Sequence, residues 1–133
     1  MFQNQLSIFA QNSPHRLAEI CELLAENQIN LRALSTADTE SYGILRLIVE
    51  DPEKAEAALK NAGLAVSVTR VLSLPIADKP GALAKLLRVI SDENIDIEYA
   101  YAFLSHEDNL AFAVLKVEEE EKSVKALQRA GIL

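Results

Sequence analysis

Asp78-Lys79-Pro80-Gly81 stands directly before Leu83, Leu86, Leu87 and Ile90, which are spaced for one face of a helix. At a helix start the first backbone N–H groups lack carbonyl partners and the helix dipole presents its positive end. Such a corner attracts a carboxylate or a phosphate. Gly81 has no side chain to keep a ligand from the main chain. Asp78 is an anionic acceptor for a cationic group, and Lys79 is a donor for an anionic one. As structure alone, Asp78 is a helix cap worth about 1 kcal/mol. Glycine in a first helical turn costs up to about 1 kcal/mol against alanine, and that cost favours the binding reading.

The corner is used twice. Asn12-Ser13-Pro14-His15-Arg16-Leu17 lies 66 residues earlier, and that offset sets Pro14 on Pro80, Leu17 on Leu83, Ile20 on Leu86, Cys21 on Leu87, Leu24 on Ile90, Ile29 on Ile95 and Leu31 on Ile97. Farther along the offset becomes 68, pairing Leu47 with Leu115, Val49 with Val117, Leu59 with Leu127 and Gly63 with Gly131. A longer loop in the second copy accounts for the change. The polar stretches TADTESYG and LSHEDNL are where it belongs.

Elements that position the corners follow from periodicity. Leu6, Ile8 and Ala10 alternate, as do Leu72, Leu74 and Ile76, so each copy opens with a strand. A helix follows each, with Pro14 and Pro80 expected in the first turn, where a missing N–H costs nothing. Two strands come next: INLRALST and YGILRLIV, then IDIEYAYAFL and LAFAVLKV. A second helix starts at Asp51 as cap with Pro52 in its first turn, and ends before Gly63; its counterpart ends before Gly131. AVSVTRV is the fourth strand of the first copy. The fold class is therefore α+β: two tandem ferredoxin-like βαββαβ units, antiparallel sheets with helices on one face, divided at residues 1–71 and 72–133. Only Ile132 and Leu133 follow Gly131, so the second copy is expected to lack its last strand. The edge around VLSLPIA is then expected to be open, partly blunted by Pro75.

This topology, with Asn/Asp-x-Pro-x-x-Leu at the corner and Ile29-Asn30 or Ile95-Asp96 at the second strand, resembles the ACT domain. The resemblance covers nearly the whole chain as two copies, in the manner of small stand-alone double-ACT proteins of the amino-acid-binding type. It implies a non-catalytic regulatory sensor that binds an amino acid or similar small carboxylate at an ACT–ACT interface. The ligand-binding residues it implies are Asp78, Lys79, Pro80, Gly81, Ala82 and Leu83, with Asn30 or Asp96 opposite. A second corner comprises Asn12, Ser13, His15, Arg16 and Leu17. There His15 replaces the glycine, so this corner is either degenerate or contacts a different ligand through His15 and Arg16.

Other chemistries have less support. The chain has 133 residues and a net charge of −7, against the broad attraction behind non-specific nucleic-acid or membrane-surface binding. Apolar stretches fall short of a bilayer span and the N-terminus shows no leader, so a cytoplasmic protein is expected. His15, Cys21 and His106 lack metal-site spacing, and no metal or other cofactor is expected. Cys21, matched by Leu87, reads as a buried core thiol. Tyr99, Tyr101 and Phe103 read as a packed strand face, and the run from Glu118 to Glu121 as a solvated helix start. No nucleophile, base and anion-binding set converges for catalysis. Ile44 and Ile48 are expected on a sheet face left uncovered by the helices, which argues for a homodimer. The competing reading is a constitutive interaction or regulatory module without ligand binding, partnering a metabolic enzyme or regulator.

Overall fold

The structure is a computed structural model that describes residues 1–11, 13–38, 42–107 and 109–133, with Asp38 described by its backbone only. In chain order the elements are β1 (Phe2–Gln11), α1 (Arg16–Glu26), β2 (Leu31–Asp38), β3 (Tyr42–Val49), α2 (Pro52–Asn61), β4 (Ala65–Ala77), α3 (Ala82–Asp92), β5 (Ile97–Leu104), β6 (Leu110–Val117) and α4 (Glu120–Arg129). Two compact units share them: Asn4–Arg70, and Val71–Leu133 together with Met1–Gln3.

In the first unit the strand order is β2-β3-β1-β4. Antiparallel pairing sets Leu6 against Leu47 and Ile8 against Leu45. Because successive strand residues point to opposite faces, Leu6, Ile8, Leu45, Leu47 and Val49 share one face. They pack there with Ile20 and Leu24 of α1 and Ala55 and Leu59 of α2. Asp51 caps α2, accepting from the Lys54 N–H at 3.2 Å, with Pro52 in the first turn. Ile48 points away from that core yet is only 3% exposed. The uncovered apolar face expected there is therefore not free at Ile48.

The second unit buries Leu72, Leu74, Ala113, Leu115 and Val117 against Leu86, Ile90 and Leu127. Its strand order is β1-β4-β6-β5, in which β1 contributes only its first residues. The Ser73 N–H donates to the Met1 carbonyl at 2.6 Å, and Phe2 packs on this unit's core. The expected open edge along Val71–Ala77 is corrected where it begins: β4 lies between β1 and β6, and Met1 meets Ser73. AVSVTRV and VLSLPIA are also one continuous strand of 13 residues, β4. No glycine, proline, asparagine or aspartate interrupts the chain between Val66 and Leu74, and its two serines are isolated, so no turn signal ends the extended conformation there.

Backbone details recur at the sequence offsets. The β2–β3 ladder slips between Leu31 and Ala33, and the β5–β6 ladder between Ile97 and Tyr99. Gln28 and Asn94 both have φ 56°. The Glu50 N–H donates to the Asn30 carbonyl as the Glu118 N–H donates to that of Asp96. Leu31 pairs with Val49 and Ile97 with Val117, so the offset changes from 66 to 68 between these strands. That places the insertion in the loops read from sequence, both of which lie partly outside the described residues. Cys21 is half-buried, as Leu87 is, not a core thiol.

Candidate functional site

Each corner joins the end of a strand to a helix whose start lacks a side-chain cap. Pro14 and Pro80 do not enter the first helical turn; His15 and Gly81 are the cap residues, and each proline precedes them. A tight turn fills this place. At the second corner the Ala82 N–H donates to the Lys79 carbonyl at 3.3 Å, with Gly81 at φ 88°, ψ −13°. That is the third-position geometry of a type II turn, which requires positive φ. At the first corner the Arg16 N–H donates to the Ser13 carbonyl at 3.2 Å, with His15 at φ −104°, ψ −9°, as in a type I turn.

Gly81 is thus explained by its conformation; it carries no helix-interior penalty, because it stands before the helix. The place its missing side chain would occupy has nothing within 4 Å. Asp78 is not the helix cap either. It is exposed, and its N–H donates to the Asn109 carbonyl at 2.8 Å, tying the corner to the loop before β6.

A cleft of about 470 Å³ opens at the second corner, lined by Lys79, Pro80, Gly81, Ala82, Lys85, Leu86 and Ile132 together with the end of β4. Of the six residues expected here, four line it, while Asp78 and Leu83 flank it. Lys85 and Ile132 were missed. Lys85 was legible, since it lies one helical turn beyond Gly81; Ile132 was not, because only the tertiary fold brings it there. No acidic residue stands in the first turn of α3. Leu83 and Ala84 belong to that turn, so their N–H groups have no intrahelical acceptor. Two lysines, free amides and the dipole's positive end suit a carboxylate.

A smaller cavity, about 250 Å³, sits at the first corner. Ser13, Arg16 and Leu17 line it with Ile20, Thr36, Ile44 and Leu45, whereas His15 does not. His15 is exposed and leaves the cavity unobstructed. The Arg16 Nε is buried without a hydrogen-bond partner, while another nitrogen of its guanidinium meets Glu19 at 3.5 Å. Asn12 lies outside the described residues.

Asn30 and Asp96 are exposed at the far ends of α1 and α3 from their own corners. An eleven-residue helix separates each pair, roughly 16 Å at 1.5 Å per residue. Asn30 donates from its side-chain amide to Glu50 at 3.2 Å. Neither residue can close a site with the corner of its own unit. Among the described residues no three His, Cys, Asp or Glu side chains gather as a metal site, and no helix is long and apolar enough to cross a membrane.

The doubled α+β architecture with its paired corners is that of a tandem domain, and the chain belongs to the ACT domain pair family, whose model matches residues 1–130. Protein BT0572 from Bacteroides thetaiotaomicron, known from a crystal structure, is 42% identical, with a TM-score of 0.91 over 99% of this chain and 90% of that one. The ligand-free regulatory subunit of aspartate kinase from Thermus thermophilus shares the fold at 16% identity, with a TM-score of 0.67 over 98% of this chain and 95% of its own. The regulatory subunit from Thermus flavus does so at 16% identity, with a TM-score of 0.64 over 98% and 95%. Among curated proteins nothing matches.

Proposed function

We propose that the protein is a cytoplasmic, non-catalytic sensor that binds an amino acid or similar small carboxylate at its strand-to-helix corners and signals through its packing with other chains. The second corner, residues 78 to 83, is the principal site. The observation that carries this is the cleft at Gly81: an uncapped helix start without acidic residues, with Lys79 and Lys85 on its wall. The ligand carboxylate takes the free amides of α3, and Asp78, beside the cleft, takes an ammonium group. Another ACT unit supplies Asn30 or Asp96 as the opposite wall, since neither reaches its own corner. The active form is a homodimer, and its client is a metabolic enzyme or regulator. Ser13, Arg16 and Leu17 form the second site, where Arg16 offers a guanidinium in place of the glycine turn.

A thermal-shift screen of the proteinogenic amino acids tests this reading. A ligand bound only by the folded state adds about 2.7 kcal/mol at 100 times its dissociation constant, several degrees in melting temperature. No shift at millimolar concentration would favour the constitutive interaction module instead.

A further inference from the structure

Only two side chains on the wall of the second cleft can make a hydrogen bond, Lys79 and Lys85; every other lining residue is apolar or glycine. An ammonium group donates and cannot accept. Whatever part of a ligand meets these side chains must therefore be an acceptor, and two cations favour an anionic one.

Neither charge is used within the fold. Both lysines are exposed, and among the described residues neither has an ion-pair partner. The helix offers Lys85 none, because Gly81, Ala82, Arg88 and Val89 stand three and four residues away. Arg88, the next cation of α3, meets Asp92 at 3.6 Å. Asp and Glu outnumber Lys and Arg by 20 to 13, so two unpaired cations on one wall run against the composition of the chain.

The first unit shows the same positions without them. At the 66-residue offset Ser13 corresponds to Lys79, Arg16 to Ala82 and Glu19 to Lys85. Arg16 and Glu19 form an ion pair at 3.5 Å. In the second unit an alanine replaces the cation and a lysine replaces the anion, so that pair is gone. These three positions sum to no net charge in the first unit and to two positive charges in the second. The change leaves the helix without a partner for its lysine and makes sense at the cleft.

We infer that the second corner selects an amino acid with an acidic side chain. Its α-carboxylate takes the first amides of α3, its second carboxylate accepts from Lys79 and Lys85, and Asp78 takes the ammonium group. A neutral amino acid leaves both lysines to water and gains nothing from them. The first corner has no such surplus, since its Arg16 is engaged by Glu19. The inference rests on the amino-acid reading above and names the class of ligand.

Calorimetric titration of the full chain with aspartate, glutamate and their neutral isosteres asparagine and glutamine tests it. At least one of the two acids is expected to bind about 10-fold or more tightly than its amide, as loss of a hydrogen bond between charged groups implies. In Lys79→Met/Lys85→Met, which keeps the aliphatic stems, the ratio is expected to fall to about 1 with an unchanged circular dichroism spectrum. Lys54→Met, the same loss of charge per residue in the first unit, is expected to leave it as in the wild type. The comparison of isosteres needs no variant, so it decides even if the double substitution disturbs the fold. Binding of none of the proteinogenic amino acids would remove the amino-acid reading and this inference together. Amides that bind as tightly as the acids, or an acid preference that survives in the double variant, would overturn this inference alone.

Discussion

At the first corner Pro14 is followed by His15; at the second, Pro80 is followed by Gly81. The same proline at the same place leads into different turns, because only glycine readily takes the φ of 88° found at residue 81, whereas His15 sits at φ −104°. The peptide between the two central residues is therefore flipped from one corner to the other, and its N–H faces a different way. The walls differ as well: two lysines at the second corner, one arginine with a buried, unpartnered Nε at the first. A duplicated unit has kept its core and changed the chemistry at its corner.

The largest effect should show that the cores remain equivalent. Leu24 and Ile90, related by the repeat, are 1% and 0% exposed. Replacing either with alanine should cost about 2–5 kcal/mol in urea unfolding. Costs differing by more than the spread of such substitutions would break the equivalence. Next comes an asymmetry. Phe2 packs on the second unit's core although it starts the strand that serves the first. Phe2→Ala should cost about 1–3 kcal/mol and speed hydrogen exchange at residues 72–74 and 113–115 before residues 45–49. Equal loosening of both segments would contradict this.

Substitutions at the corners sharpen the contrast. Gly81→Ala forces a side chain into positive φ and should cost about 1–2 kcal/mol, seen as a lower melting temperature. His15→Ala should change it by about 0.5 kcal/mol at most. The smallest expected difference lies at the other pair of helix starts. Asp51 accepts the Lys54 N–H, whereas Glu119, its counterpart, makes no cap bond. Asp51→Ala should cost about 1 kcal/mol and Glu119→Ala close to nothing.

Much of this was legible in the sequence because it is local or periodic. Strand alternation, the Ile20/Leu24 and Leu86/Ile90 stripes, the Asp51-Pro52 start and the two offsets all have counterparts in the structure. What was not legible depends on distant parts of the chain. Nothing near Met1 shows that Ser73 will pair with it, and Ile132 reaches the second cleft only through the fold of its unit. The corner itself was misread by one residue: Pro-Gly fits a helix's first turn and a type II turn equally well as a string, and the hydrogen bond from Ala82 to Lys79 decides for the turn.

The most direct test of the central claim is an amide shift map, recorded while titrating ¹⁵N-labelled protein with whichever amino acid gives the largest thermal shift. The account predicts saturable shifts at Gly81, Ala82, Leu83 and Ala84, and loss of those shifts in Gly81→Asn, a residue that tolerates the left-handed turn but places a side chain in the cleft. Shifts confined to residues away from both corners, or shifts at Gly81 that persist unchanged in the variant, would contradict it.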